Sequence, residues 1–318
     1  MDNRHSPLIG SFDEPSFKEE VDGFPDLETF KKNLQNLKNL SHLTGDYEAI
    51  KEIYFKNCVL LPHIYEEHNG QFLNSAKVYR VRNKVGLSED LNVAETYSHP
   101  KIEYTLKNNR ANIIGAPAFY GSWDPKVAIA ETKLESEEFA YLGTWKIECN
   151  RKVLYNTFIY IKNDENLMYS YASSKMELVK AHSKQFGDKA NHFIYLYEFL
   201  SDLFIEEQPE YNLGSWIGNQ VLYGKMPCDY MTYASKMTFL KGICMAFSPL
   251  FVSDFMKLES VIKFKVNHID AINFSIDVLD EGVMNALEKV DWLGGVRKES
   301  INILDKWLND KQTVLSSK

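Results

Sequence analysis

The chain is predicted to be an α+β protein, with a mixed β-sheet core flanked by helices. Three observations predict this. Apolar residues near the start recur three or four apart, the period of a helix with one buried face. From Lys77 onward, short runs alternate apolar and polar residues as strands do. The two kinds of segment then interleave irregularly, unlike the strict alternation of a doubly wound parallel sheet. At 318 residues, 44% hydrophobic and 25% charged, the chain can fill one large core or two modest ones.

Residues 1–24 are polar and punctuated by Pro7 and Pro15, and are expected to form a flexible arm. The opening twenty residues lack an apolar h-region, so no signal peptide is expected. Asp26 is placed to cap a helix whose apolar face is Leu27, Phe30, Leu34 and Leu37. A second helix is expected from Asp46 through Cys58, with Tyr47, Ile50, Ile53 and Tyr54 on one side. Residues 25–70 thus form a helical N-terminal extension. In the strand expected at Lys77–Arg82, Val78, Arg80 and Arg82 share one face and Tyr79 and Val81 the other. Further strands are expected at Ala118–Gly121, Ala140–Cys149, Asp229–Ala234, Gly242–Phe247 and Ser260–Val266. Helices are expected at Pro125–Ser136, Met176–His182, His192–Phe204, Gly214–Tyr223 and Lys298–Asn309. The central domain then spans 71–275, with a C-terminal helical segment over 276–318.

Composition excludes several functions. The net charge of −8, with no clustered Lys or Arg, argues against nucleic acid as a partner, since phosphate binding needs concentrated positive charge. No apolar run approaches the ~20 residues of a membrane span, so a soluble, cytoplasmic protein is expected. Cys58, Cys149, Cys228 and Cys244 form no CxxC pair and read as free thiols. His63 and His68 are five apart, not at the HExxH spacing that sets two imidazoles on one helical face, so no metal is expected. The glycines at Gly214 and Gly218 fit neither a dinucleotide fingerprint nor a P-loop, and no serine nucleophile elbow occurs.

The chemistry concentrates between Asn109 and Glu131. Asp124 followed by Pro125 is a helix start: the carboxylate caps the exposed amides, and proline fits the first turn. The helix places Val127, Ala128, Glu131 and Leu134 on one face, so Glu131 falls within an apolar stripe. A carboxylate there must be paired, solvated in a cleft or protonated, because burying it alone is costly. A structural Glu paired with an Arg satisfies this condition as well as a functional one.

This stretch resembles the RES-domain family. There, Arg and Asn (here Arg110 and Asn112) lead through a Gly (Gly115) to an aromatic strand (ending in Tyr120) and a Glu-bearing helix (Glu131). The family is named for an Arg, a Glu and a Ser. Val78-Tyr79-Arg80 resembles its opening strand, and Asp229-Tyr230-Met231-Thr232-Tyr233-Ala234-Ser235 its Ser segment. The resemblance covers roughly residues 77–250. The chain departs from the family pattern at Asn109 and Ala111, where a Gly and an aromatic usually flank the Arg, and at Tyr230, where a Gly usually follows the Asp. Residues 150–210 stand as an insertion relative to compact members.

The resemblance implies a core of the ADP-ribosyltransferase-like type and an NAD+-consuming enzyme that breaks the nicotinamide–ribose bond. Phosphate, water or a protein side chain is the acceptor. It also implies a toxin restrained by an antitoxin protein. On that analogy Arg80, Glu131 and Ser235 are catalytic. Arg80 and Arg110, with Arg82 in reserve, clamp the diphosphate as guanidinium groups do. Glu131 stabilises the positive charge that develops on the ribose. Tyr120 lines the nicotinamide pocket, and Ser235 bonds a phosphate or ribose hydroxyl. The plainer readings remain beside these: Arg80 paired with a surface acid, Tyr120 in the core, Ser235 an ordinary turn serine. Protein ADP-ribosylation and a catalytically inactive RES-like binding module are the alternative functions.

Overall fold

The computed structural model of the chain describes residues 23–41, 47–57, 66–83, 85–86, 88–159, 183–206, 212–224, 227–268 and 273–302, with individual positions from 173 to 181. These residues form two β-sheets with helices packed on both, so the α+β expectation holds. The first sheet runs in the order β1 (Glu66–Asn69), β5 (Lys152–Phe158), β6 (Tyr230–Ala234), β7 (Ile243–Phe247), β3 (Phe119–Gly121). Only the β5–β6 pair in it is parallel. The second is antiparallel, in the order β10 (Val290–Trp292), β9 (Asn273–Met284), β8 (Met256–His268), β4 (Phe139–Ile147), β2 (Lys77–Arg82). β11 (Arg297–Asn302) also pairs with β9.

The sheets meet where β2 passes β3. Tyr79 and Ser122 exchange backbone hydrogen bonds of 2.8 and 2.9 Å. A side chain at Gly121 would strike Val78 Cγ1 at 2.7 Å and the Tyr79 carbonyl at 3.0 Å. Glycine there permits the close approach of the two strands.

Alternation along the strands divides the core. Met231 and Tyr233 of β6, and Cys244 and Ala246 of β7, face a helical layer. Their neighbours Tyr230, Met245 and Phe247 pack with Val78, Phe119, Trp145 and Ile147 between the sheets. A third cluster joins Ala128, Ile129 and Leu134 to Ala140, Leu142, Phe264 and Val278 on the other face of the second sheet.

The helical layer contains α1 (Leu27–Ser41), α2 (Tyr47–Asn57), α4 (Ala190–Ile205) and α5 (Asn212–Tyr223); α3 is Pro125–Glu131 and α6 Pro249–Phe255. The expected face of α1 is the buried one, since Phe30, Leu34 and Leu37 are nearly inaccessible. Asp26 caps it, accepting from the Thr29 amide at 3.0 Å. The N-terminal helices share one core with α4 and α5. Of the expected arm, residues 1–22 lie outside the described residues, while Phe24 is buried against Phe30, with ring centroids 5.0 Å apart.

Several expectations need correction. The helix expected at Lys298–Asn309 is a strand over its described part, and the C-terminal segment from 276 is β9, β10 and β11 up to Asn302. Helix-like polarity misled there, whereas Phe274, Ile276 and Val278 recur at every second position as a strand requires. Part of the segment read as an insertion, β5, is an interior strand of the first sheet. β1, within the N-terminal extension, pairs with it. Much of the helix expected at Met176–His182 lies outside the described residues. Finally, α3 stops at Glu131 instead of running to Ser136.

Candidate active site

A cleft of about 210 Å³ opens at the junction of the sheets, lined in part by Arg80, Asn109, Arg110, Tyr120, Glu131 and Tyr233. The short helix α3 delivers Glu131. Its start is built as the sequence predicts: Asp124 Oδ1 accepts from the Lys126 amide at 2.8 Å, with Pro125 in the first turn. Asp124→Ala is expected to cost about 1 kcal/mol of stability, read as a lower urea midpoint with an unchanged slope. The helix ends at Glu131 because Thr132 turns its hydroxyl back to the Ile129 carbonyl, and Lys133 takes a left-handed conformation, φ 49°. Glu131 therefore stands at the C-terminal end of a helix, the less favourable end for an anion.

Two partners offset that position. Arg110 Nη1 lies 3.3 Å from Glu131 Oε2, and Ser235 Oγ donates to Oε1 at 2.6 Å. The Met237 amide adds a longer contact of 3.4 Å to Oε1. Arg110 lies over the Tyr233 ring at 5.6 Å, a cation–π arrangement that fixes the guanidinium from below. The Arg110 side chain is 9% exposed and that of Glu131 21%, so the pair meets the cleft chiefly through the carboxylate. Three residues far apart in sequence thus converge, and Glu131 is paired with an arginine.

The segment after β6 carries Ser235 to Glu131. Phe239 and Leu240 both adopt left-handed backbone conformations, φ 54° and 63°, unusual for bulky side chains. They are held by bonds from the Leu240 amide to the Ser235 carbonyl (2.8 Å) and from the Ser235 amide to the Gly242 carbonyl (2.9 Å). Buried Thr238 braces the turn, its hydroxyl accepting from the Gly242 amide at 2.9 Å. Thr238→Val leaves that buried amide without its partner and is expected to lose about 1–3 kcal/mol, with Thr238→Ser near wild type in the same denaturant titration.

Tyr120 enters from β3. Its hydroxyl accepts from the Ala111 amide at 2.9 Å and donates to Asn112 Oδ1 at 2.7 Å, so it ties the strand to the turn that carries Arg110. Arg80 is half-buried. Its Nε donates to the Ser98 carbonyl at 3.2 Å and its Nη1 to the Tyr120 carbonyl at 2.9 Å, and its guanidinium stacks 5.1 Å from Phe119. Loss of water around the guanidinium, followed by repulsion from Arg82, brings its pKa down to about 10, so it stays charged at neutral pH.

Not every expected residue reaches the cleft. Arg82 is not among its lining residues; it forms a two-point contact with Glu89 (2.7 and 2.9 Å) and donates to the Thr96 carbonyl. Ser235 is fully buried and is not among the lining residues; its hydroxyl donates to Glu131. Sequence reasoning missed Tyr233 and Cys244 as wall residues; strand alternation toward the helical face was the available signal. Burial, then the charge of Glu131, pushes the Cys244 thiol well above its ordinary range, so it is a neutral thiol. Burial does the same to the Tyr233 phenol.

Among the described residues no group of three His, Cys, Asp or Glu side chains is placed to hold a metal ion, and no helix is long and apolar enough to cross a membrane. His63 and Cys58 lie outside the described residues; Cys149, Cys228 and Cys244 are buried. No protein-family model matches the chain, and no curated protein is significantly similar to it.

Proposed function

We propose that this chain is an NAD+-cleaving enzyme of the RES type, with a core of the ADP-ribosyltransferase-like class. The observation that carries the reading is the Glu131 carboxylate at the cleft wall, gripped by Arg110 and Ser235. In the reaction the bond between the ribose C1′ and the nicotinamide nitrogen breaks. Its electron pair leaves with nicotinamide and neutralises the pyridinium, and positive charge builds on the ribose carbon. A carboxylate already oriented for that charge stabilises the transition state without having to reorganise. An oxygen of phosphate or water then bonds to C1′; water loses a proton in doing so, and phosphate yields ADP-ribose 1″-phosphate.

Arg80 and Arg110 supply positive charge for the diphosphate side. Tyr120 and Tyr233 supply aromatic wall for the nicotinamide. The cleft volume lies below that of a pocket for a whole drug-sized ligand, so it suits the nicotinamide-ribose end, with the remainder at the mouth. Two departures from the family pattern have local reasons. Ala111 is fully buried with its backbone against Gly218 of α5, and Tyr230 stacks on Tyr155, with ring centroids 5.1 Å apart, and bonds His68. In this reading the protein is a cytoplasmic toxin held in check by an antitoxin.

A second reading, a binding module without turnover, draws on Arg80, two of whose donors are engaged by backbone carbonyls. Purified chain incubated with NAD+ in phosphate and in phosphate-free buffer separates the readings. Free nicotinamide with ADP-ribose 1″-phosphate only in phosphate marks phosphorolysis. ADP-ribose in both buffers marks hydrolysis, label on an added protein marks ADP-ribosyl transfer, and binding without products marks the module.

A further inference from the structure

Arg110 sits on a short turn between Asn109 and Asn112. Asn109 and Asn112 close that turn with backbone bonds of 2.9 and 3.4 Å and a side-chain bond of 3.2 Å. The Tyr120 hydroxyl holds it on one side, and α5 seats it on another. Gly214 and Ser215 precede Gly218 by four and three residues, so each neighbours it on the surface of this helix. A side chain at Gly218 would stand 2.5 Å from the Ala111 Cα and 2.9 Å from its carbonyl carbon and oxygen. These are backbone atoms, so nothing flexible can yield. Beside it, the buried Ser215 hydroxyl donates to the Asn109 carbonyl, and the Arg110 carbonyl lies 3.7 Å from where a Gly214 side chain would begin. One end of the helix thus grips the turn. At the other, the Tyr223 hydroxyl bonds the Pro117 carbonyl, where the chain leaves the turn for β3.

We propose that α5 is the seat that fixes the reach of Arg110, with Gly218 and Ser215 as positioning residues that set the affinity of the cleft for its anionic substrate. The proposal rests on the NAD+ reading. Neither residue lines the cleft; each acts through the backbone on either side of Arg110. A methyl group at Gly218 lifts Ala111 off the helix and draws the guanidinium away from the position it holds 3.3 Å from Glu131. Removing the Ser215 hydroxyl frees the Asn109 end of the turn without adding bulk.

The test compares wild type, Gly218→Ala and Ser215→Ala as full chains. It measures KM and kcat for NAD+, and amide hydrogen exchange over residues 105–116. The expected result is faster exchange confined to Asn109–Asn112 in both variants. KM rises about tenfold, the scale of one hydrogen bond to a charged group, while kcat stays within about twofold. A residue that merely supports the fold would lower the melting temperature and leave KM of the folded protein unchanged. Unchanged KM in a folded variant overturns the proposal, whether or not exchange rises. If Gly218→Ala does not fold, Ser215→Ala decides by the same criterion. Wild type that neither binds nor cleaves NAD+ overturns the reading of the cleft and the affinity claim with it; the exchange rates of the two variants then still show whether α5 holds the turn.

Discussion

Glu131→Gln is expected to cut nicotinamide release by about 10²–10³-fold, the scale seen when one preorganised electrostatic group is removed from a transition state. The substitution keeps the shape of the side chain; its single amide oxygen can still accept from Arg110 while its NH2 donates to the Ser235 hydroxyl, so the fold should survive. In the proposed reaction it removes the negative charge that stabilises the positive charge developing on the ribose. The effect should therefore fall on kcat, with KM little changed. Glu131→Ala adds a structural cost, since it leaves the Arg110 guanidinium and the Ser235 hydroxyl without their common acceptor. Comparing the two variants in steady-state assays and denaturant titrations separates charge from packing.

Arg110→Ala is expected to act on both stability and binding. The Arg110 side chain is 9% exposed, its guanidinium lies over Tyr233 and pairs with Glu131, so its loss takes the cationic partner from a carboxylate at a helix C-terminus. Breaking a buried pair from one side costs about 3–5 kcal/mol when both groups are fully enclosed. Here Glu131 is 21% exposed, and water screens part of that loss. A drop of about 2 kcal/mol is expected in the denaturant-derived stability, with NAD+ affinity lower by about 10–100-fold. Arg110→Lys should restore little, because an ammonium lacks the planar face that lies over Tyr233. A Lys variant equal to wild type in affinity would show that charge alone matters at this position.

Much of the architecture is legible in the sequence where a segment has a strong period or a cap. The Asp26 and Asp124 caps, the buried face of α1 and the alternation of Lys77–Arg82 are examples. Legibility fails where tertiary contacts decide. Nothing local to Lys152–Phe158 shows that it sits inside a sheet, since its partners are β1 and β6, remote in sequence. The end of α3 depends on Thr132 and Lys133, a turn without glycine. At the site, the sequence brought Arg110, Glu131 and Ser235 forward but not the division of labour among them. That Ser235 reaches the carboxylate, that Arg82 turns to Glu89, and that Arg80 bonds two carbonyls follow from where the strands cross. The glycines of α5 carried no recognisable motif, because their role is to let another segment approach.

The most direct test of the account is the release of free nicotinamide from NAD+ by the purified full chain, measured against its Glu131→Gln variant at equal folded concentration. The account predicts steady release by wild type and a loss of at least about a hundredfold in the variant. Equal release by both proteins would contradict the role assigned to Glu131, and no release by folded wild type, with or without phosphate, would contradict NAD+ cleavage as the function of the cleft.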